Sequence, residues 1–278
     1  MEKIKATLVT TKALKVRKQH LGADPHQPIC PYALCEAMGI DVRFVNIPSF
    51  EGMYIADENL ILISADRPEG RKRFTCAHEI GHHVLGHGTV IDEILESGSN
   101  KEEEDEADYF ASVILMPASA VTRSLQRYRK GAEGLISNDI YILSQYFGVS
   151  YQAFLNHICF NLRLINYTQY QNLKKANLKD TRKAICGITT NNQVVSVGSW
   201  WEEKAIDIEV GDYIVSPSKL EVDGPSILEE VSESQPHTYR AVSPGITRVH
   251  DQEWSSFLKI SRHKFQGLYQ YKYDEDCE

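Results

Sequence analysis

The chain has 278 residues, 42% hydrophobic and 24% charged, which is room for two domains and excludes wholesale disorder. Its formal charge is −8, with acid and base balanced over residues 1–184 and the acidic excess beyond them, which disfavours nucleic acid as the main ligand but leaves room for a local basic patch. No run approaches the roughly 18 apolar residues of a membrane span, and the basic start MEKIKATLVTTKALKVRK lacks an apolar core and a small-residue cleavage site, so a cytoplasmic protein with no membrane partner is expected.

Taken in chain order, a basic amphipathic stretch over 12–20 predicts a first helix. A second follows from Pro31, at a first helical position, to a stop at Gly39. His26, Cys30 and Cys35 are zinc-binding residue types, but a fourth ligand is missing, and the two cysteines read as small apolar residues of that helix. The segment IDVRFVNI alternates like a strand, and MYIADENLILIS reads as two strands around Asp57 to Asn59. Beyond DRPEG, the spacing of Phe74, Ala77, Ile80, Gly81 and Val84 is helical, with Gly86 as the helix end. An irregular stretch through Gly98 and Ser99 leads to KEEEDEADYFASVILMP, a helix stopped by Pro117, and then to a shorter basic helix.

NDIYILSQYFGVSYQAFLNHICFNLRLI predicts helix, turn at Gly148, helix, which resembles a helix-turn-helix over about 138–165. Its second helix carries one Arg and no Lys, poor equipment for phosphate contact, so a helical subdomain packed against the preceding part of the chain is the preferred reading. The polar QNLKKANLKDTRK reads as a linker. Beyond it NQVVSVGSWW, AIDIEVGDYIVS, HTYRAVS and GLYQYKY are short and alternating, a small β-rich domain. The expected fold class is therefore α+β: a mainly helical domain with a small sheet over 1–175, then a β-rich C-terminal domain over 185–278.

The chemistry concentrates in His78-Glu79-Ile80-Gly81-His82, an H-E-x-x-H. On a helix the two imidazoles lie one turn apart on a single face and can hold one metal ion. Glu79 stands at the edge of that face, where it can take a proton from an attacking water. Zn2+ suits two imidazoles plus a carboxylate, with one position left for water. Three residues compete for the third ligand. His87 is out of register for the longer H-E-x-x-H-x-x-G-x-x-H pattern. Glu103 and Glu104 both open the following helix, and Glu104 is preferred because Asp108, one turn on, can accept from a ligand histidine's free N–H. Glu102 and Glu106 read as a solvated helix start.

RFTCAHEIGHHVLGH, followed by E-x-x-A-D-Y-F-A-S-x-I-L-M-P, resembles the ImmA/IrrE family of zinc metallo-endopeptidases. The likeness extends to the strand pair before the helix and to the L-x-x-x-F-G-V-S of Leu143 to Ser150, and so covers about residues 10–170. It implies that the domain over 1–175 is a zincin-like metallopeptidase, with zinc on His78, His82 and Glu104 and Glu79 as general base. It also implies a helix-turn-helix transcriptional repressor as substrate, whose cleavage releases stress-response, mobile-element or phage-defense genes. The strand Leu60, Ile61, Leu62, Ile63, Ser64 is the candidate edge for an extended substrate, although it ends in Ser64 where family members often have Asn.

The layout is similar to the CapP-type proteases of antiphage systems, in which a C-terminal domain responds to single-stranded DNA and a cysteine holds the zinc shut. On that likeness, single-stranded DNA or a small molecule acts through the C-terminal domain. Trp200, Trp201, Tyr269, Tyr271 and Tyr273 could stack on a flat ligand but more often fill a small core, and Arg240, Arg248, Lys259, Arg262 and Lys264 are the available cations. Among gating cysteines, Cys76 falls off the ligand face, and Cys30 or Cys35 requires the fold to bring it in. Two other readings stand beside the peptidase: a zinc-stabilised binding or antitoxin-type protein that does not cleave, and a DNA-binding transcription regulator.

Overall fold

A computed structural model describes residues 3–22, 26–87, 101–128, 130–201, 204–224, 227–232 and 236–274. The irregular stretch expected through Gly98 and Ser99 lies outside them. The fold is α+β, and the chain divides into two compact units. The first comprises Met1–Arg123 with Phe147–Ser150 and Gln266–Tyr269; the second takes the rest. The helices of 151–186 thus group with the β-rich part, whereas the sequence draws its boundary between 175 and 185.

In the first unit, α1 (Lys3–Leu21) is longer than the basic stretch that predicts it, and α2 (Pro31–Met38) begins at Pro31 and ends on Gly39 at φ +73. Strands β1 (Asp41–Val45), β2 (Gly52–Ile55) and β3 (Leu60–Ser64) follow, with Asn59 at φ +47 closing the turn before β3. β3 lies between β1, to which it is parallel, and β2, to which it is antiparallel. Val42 pairs with Ile61 and Phe44 with Ile63, which lines the buried face of the sheet with apolar side chains.

The long helices α3 (Glu69–Leu85) and α4 (Lys101–Leu115) contribute Ala77, Ile80, Phe110 and Ile114, all fully buried. Burying a side chain such as Phe110 or Ile114 is worth roughly 1.5–3 kcal/mol. Arg17 of α1, itself buried, donates from Nη1 to the Ile114 carbonyl at 2.6 Å and so satisfies the C-terminal turn of α4.

A two-residue strand, Gly267–Leu268, adds antiparallel to the outer side of β1. The sequence assigns GLYQYKY to a strand of the C-terminal domain; only these two residues are extended, and they complete the first unit's sheet. Gly70, in the first turn of α3, is held against the turn at 147–150. A Cβ there would meet the Val149 carbonyl carbon at 2.6 Å and the Ser150 nitrogen at 2.8 Å, and backbone atoms cannot swing aside. An exposed helical Gly→Ala gains about 1 kcal/mol, but Gly70→Ala is expected to lose about 1–3 kcal/mol by overpacking. The urea unfolding midpoint checks the sign.

The second unit begins within α5 (Ala118–Arg127) and continues through α6 (Ser137–Phe147) and α7 (Tyr151–Asn156). The helix expected to run to Arg163 stops early: α7 has six residues, and a π-helical turn, His157–Asn161, takes over. Tyr151, Phe154, Leu155, His157, Ile158 and Cys159 are buried, so this segment presents no basic exposed face of the kind that enters a DNA groove. The presumed linker is also helical, as α8 (Tyr167–Lys174) and α9 (Leu178–Cys186). Asn166 and Asn177 cap these helices, accepting from the Gln169 and Lys179 N–H groups at 2.9 and 3.0 Å.

Among the described residues eight strands follow: β4 (Val194–Ser196), β5 (Ile206–Glu209), β6 (Tyr213–Ser216), β7 (Glu221–Val222), β8 (Leu228–Ser232), β9 (His237–Ala241), β10 (Gly245–His250) and β11 (Ser255–Ser261). They form two four-stranded sheets, ordered β5-β11-β10-β7 and β4-β6-β9-β8. The aromatic residues singled out in the sequence are dispersed. Trp201 is buried and donates to the Lys204 carbonyl, Tyr273 is buried and donates to Asp207, and Tyr269 packs on Tyr32 in the first unit. Among the five, Tyr271 is the most exposed.

Candidate metal centre

Helix α3 carries His78 and His82 one turn apart, and their Nε2 atoms lie 2.9 Å from each other. From α4, Glu104 brings Oε2 to 3.3 Å from His78 Nε2 and Oε1 to 3.4 Å from His82 Nε2. Small residues make this approach possible. A Cβ on Gly81 would meet the Ala107 Cα and the Phe110 ring at 3.2 Å, so the inner x-residue of the motif and Ala107 let the two helices close. Among the described residues, His78, His82 and Glu104 form the one group of three with metal-ligating spacing. Glu103, the rival third residue, is outside that group, and Asp108 Oδ1 lies 2.9 Å from His78 Nδ1.

The donor set fits a cation. A carboxylate only accepts, so the contact with Asp108 requires a proton on His78 Nδ1, which leaves the lone pair of a neutral ring at Nε2. Two imidazole nitrogens and a carboxylate then face one point. Burial, reinforced by repulsion from His78 and His87, lowers the His82 pKa to about 4 and keeps that ring neutral at cellular pH. Burial also works to lower that of His78, but the hydrogen bond to Asp108 and the charges of Glu79, Asp108 and Glu104 outweigh it, and the pKa is raised. The same negative field favours a metal ion over a proton once the ion competes for that nitrogen.

Glu79 is buried beside this cluster. Burial pushes its carboxyl pKa up to about 7; the charge of His78 lowers it, Glu104 raises it, and the Tyr54 backbone N–H holds it down. Its Oε2 is buried without a hydrogen-bond partner among the described residues. A buried acceptor of this kind points to a group that comes and goes.

The expected substrate strand needs correction. Leu60 to Ser64 is β3, paired on both sides, with Ile61, Ile63 and Ser64 buried. An interior strand has no free N–H or C=O row to offer a peptide. Among the described residues the outermost strand on the motif's side of the sheet is β2, which sequence reasoning passed over. A Cβ on Gly52 would meet Thr75 Cγ2 at 2.3 Å and Glu79 Oε1 at 3.4 Å, so only glycine lets the strand lie this close to α3. Glycine inside a strand is the available signal of such an approach. Tyr54 donates its hydroxyl to Asn59, and its ring centroid is 5.0 Å from that of His83.

Two residues set aside in the sequence also belong here. His87 Nδ1 is 3.1 Å from His82 Nδ1, and Glu106, read as a solvated helix start, lies 3.4 Å from His87 Nε2. The three cysteines considered as gates have their sulfurs against other partners. Cys76 is buried with Sγ 3.6 Å from Cys35 Sγ, and burial raises its thiol pKa well above the ordinary value; Cys30 Sγ is 3.8 Å from the Tyr269 hydroxyl.

Comparison with known proteins places these residues in context. The peptidase profile described as the IrrE N-terminal-like domain matches residues 35–158. The "Radiation response metalloprotease IrrE" of Deinococcus radiodurans is 34% identical over 123 residues, covering 38% of this chain and 37% of that protein. The protein of the same name from Deinococcus deserti is 33% identical over 96 residues, covering 32% and 34%. This chain therefore spans about a third of the length of the curated relatives it matches. A solved structure of a "Mycobacterium tuberculosis transcriptional regulator" aligns over 55% of this chain and 46% of that one, with a TM-score of 0.40 and 18% identity. The H-E-x-x-H helix, the strand pair before it and the glutamate-bearing helix after it all fall inside the matched segment, so it is over this segment that the chain is similar to the IrrE metalloproteases.

Proposed function

We propose that the chain is a zinc-dependent endopeptidase whose metal ligands are His78, His82 and Glu104. The observation that carries the reading is the convergence of two Nε2 atoms and one carboxylate within 3.4 Å of one another, beside a buried Glu79 with an unpartnered oxygen. Two nitrogens and one oxygen suit zinc better than magnesium or calcium, which prefer all-oxygen shells. Bound there, zinc supplies a Lewis acid that polarises the scissile carbonyl and makes the attacking water more acidic.

The protein's own groups do the rest. Glu79 takes the proton of the attacking water and later delivers it to the departing amine. The Tyr54 N–H holds the carboxylate in place meanwhile. Asp108 orients His78 through Nδ1. An extended substrate segment pairs with the outer edge of β2, alongside Glu79. On that account Gly52→Val pushes the strand away from Thr75 and Glu79. Peptidase kcat/KM is expected to fall about a hundredfold, the cost of an ångström-scale misplacement, with zinc content unchanged by elemental analysis.

The family resemblance and the relatives' names favour a regulatory role, and the substrate we propose is a helix-turn-helix repressor whose cleavage releases a stress-response or phage-defense gene set. The second unit then gates cleavage in response to a signal such as single-stranded DNA or a small molecule. The decisive experiment is co-incubation of the zinc-loaded chain with candidate helix-turn-helix repressors from its own genome, starting with any encoded beside its gene, read by mass spectrometry. One defined scission, abolished by chelation and restored by zinc, is the expected result; an intact partner under all signals tested sinks the substrate assignment.

A further inference from the structure

The position of His87 is fixed by backbone. Gly86, one residue past α3, has φ +81, and the N–H groups of both Gly86 and His87 reach back to the His82 carbonyl at 3.1 Å. The chain is thereby folded onto the last helical turn, and the His87 ring lies edge to face with that of His82, centroids 5.1 Å apart. Nδ1 meets Nδ1 at 3.1 Å, and His87 Nε2 faces Glu106 Oε2 at 3.4 Å. Lys5 Nζ stands 3.7 Å from the other Glu106 oxygen. The side chains of His82 and His87 are only 6% and 8% exposed, so water competes little for these contacts.

One proton pattern satisfies all of these atoms and leaves His82 ready to bind a metal. A carboxylate cannot donate, so His87 Nε2 carries the hydrogen and gives it to Glu106. A neutral ring protonated at Nε2 has its lone pair at Nδ1, which accepts from His82 Nδ1–H. His82 Nε2 is then bare and turned toward His78 Nε2 and Glu104. The reverse pattern sets a His87 lone pair against the Glu106 carboxylate and puts a proton on His82 Nε2, where the ion has to sit. We propose that His87 and Glu106 are positioning residues, a carboxylate–imidazole relay that fixes the ring orientation and tautomer of His82. Asp108 does the same for His78 in a single step. The inference rests on the metal-centre reading and adds to it a specific chain of protons.

The test uses the full chain. Zinc affinity is measured by chelator competition in the unmutated protein, His87→Leu and His87→Asn, and the histidine tautomers of the zinc-loaded protein are read from ¹⁵N NMR. His87→Leu is expected to weaken zinc binding about 10- to 100-fold. His87→Asn, whose Oδ1 can stand in for Nδ1 as acceptor, recovers most of that loss. In the unmutated protein His87 is expected to be protonated at Nε2 and bare at Nδ1, a reading that stays decisive even where His87→Leu does not fold. Zinc uptake with His87 protonated at Nδ1, or with wild-type affinity in His87→Leu, overturns the relay alone. An unmutated chain that takes up no zinc overturns the metal centre itself, and the relay with it.

Discussion

Glu79→Gln is expected to abolish peptide hydrolysis while leaving one zinc per chain. The substitution keeps the shape of the side chain and an acceptor for the Tyr54 N–H but removes the buried carboxylate that can take and return a proton beside the cluster. Proton transfer of this kind contributes about 10²–10⁴-fold to rate, and a group that serves twice belongs at the upper end. The zinc ligands are untouched, so metal content is the control. Stability supplies a second readout of opposite sign. A carboxyl whose pKa is raised by burial binds its proton more tightly folded than unfolded, so at neutral pH the ionised form opposes folding, and that opposition fades as pH falls. Metal-free Glu79→Gln is therefore expected to melt higher than the metal-free wild type at neutral pH. Full cleavage by Glu79→Gln would remove the general-base role; a lower melting temperature would mean that the carboxylate is better solvated than its burial implies.

The parts of the site legible in the sequence were those that local geometry fixes. Two histidines four apart on a helix must share a face, so His78 and His82 follow from the helical period alone. Glu104 required tertiary packing, but Gly81 and Ala107 mark where two helices can approach, and one turn from Glu104 to Asp108 gave the register. His87 was not legible, because its place depends on the left-handed Gly86 rather than on helical spacing. The strand order was not legible either. Whether β3 is an edge depends on β1 and on pairings made far along the chain, and a run such as LILIS looks the same at an edge or in the middle.

The misread linker has a different cause. QNLKKANLKDTRK is polar because α8 and α9 bury few residues, among them Tyr170, Leu173, Ile185 and Cys186. Composition therefore suggested coil, while the caps Asn166 and Asn177, both visible in the sequence, were the better evidence.

Glu104→Ala should have the second large effect, and Glu103→Ala almost none. Removing Glu104 takes away the oxygens at 3.3 and 3.4 Å from the two imidazoles and leaves the pair of nitrogens with no anion to share the ion's charge. The loss in zinc affinity should exceed the roughly 10- to 100-fold typical of an outer hydrogen-bond partner, and hydrolysis should go with it. Glu103 is the neighbouring carboxylate on the same helix, outside the ligand group, so its removal controls for charge alone. Thermal melts separate binding from catalysis. A ligand held only by the folded state stabilises it by about 2.7 kcal/mol when its free concentration is roughly 100 times Kd. Wild type and Glu103→Ala should therefore melt higher with added zinc, and Glu104→Ala should not. If zinc protects Glu104→Ala as well as it protects the wild type, the third ligand is another group. Loss of that protection in Glu103→Ala would place it one residue earlier, a rotation of about 100° around α4 that the close contact of Gly81 with Ala107 does not accommodate.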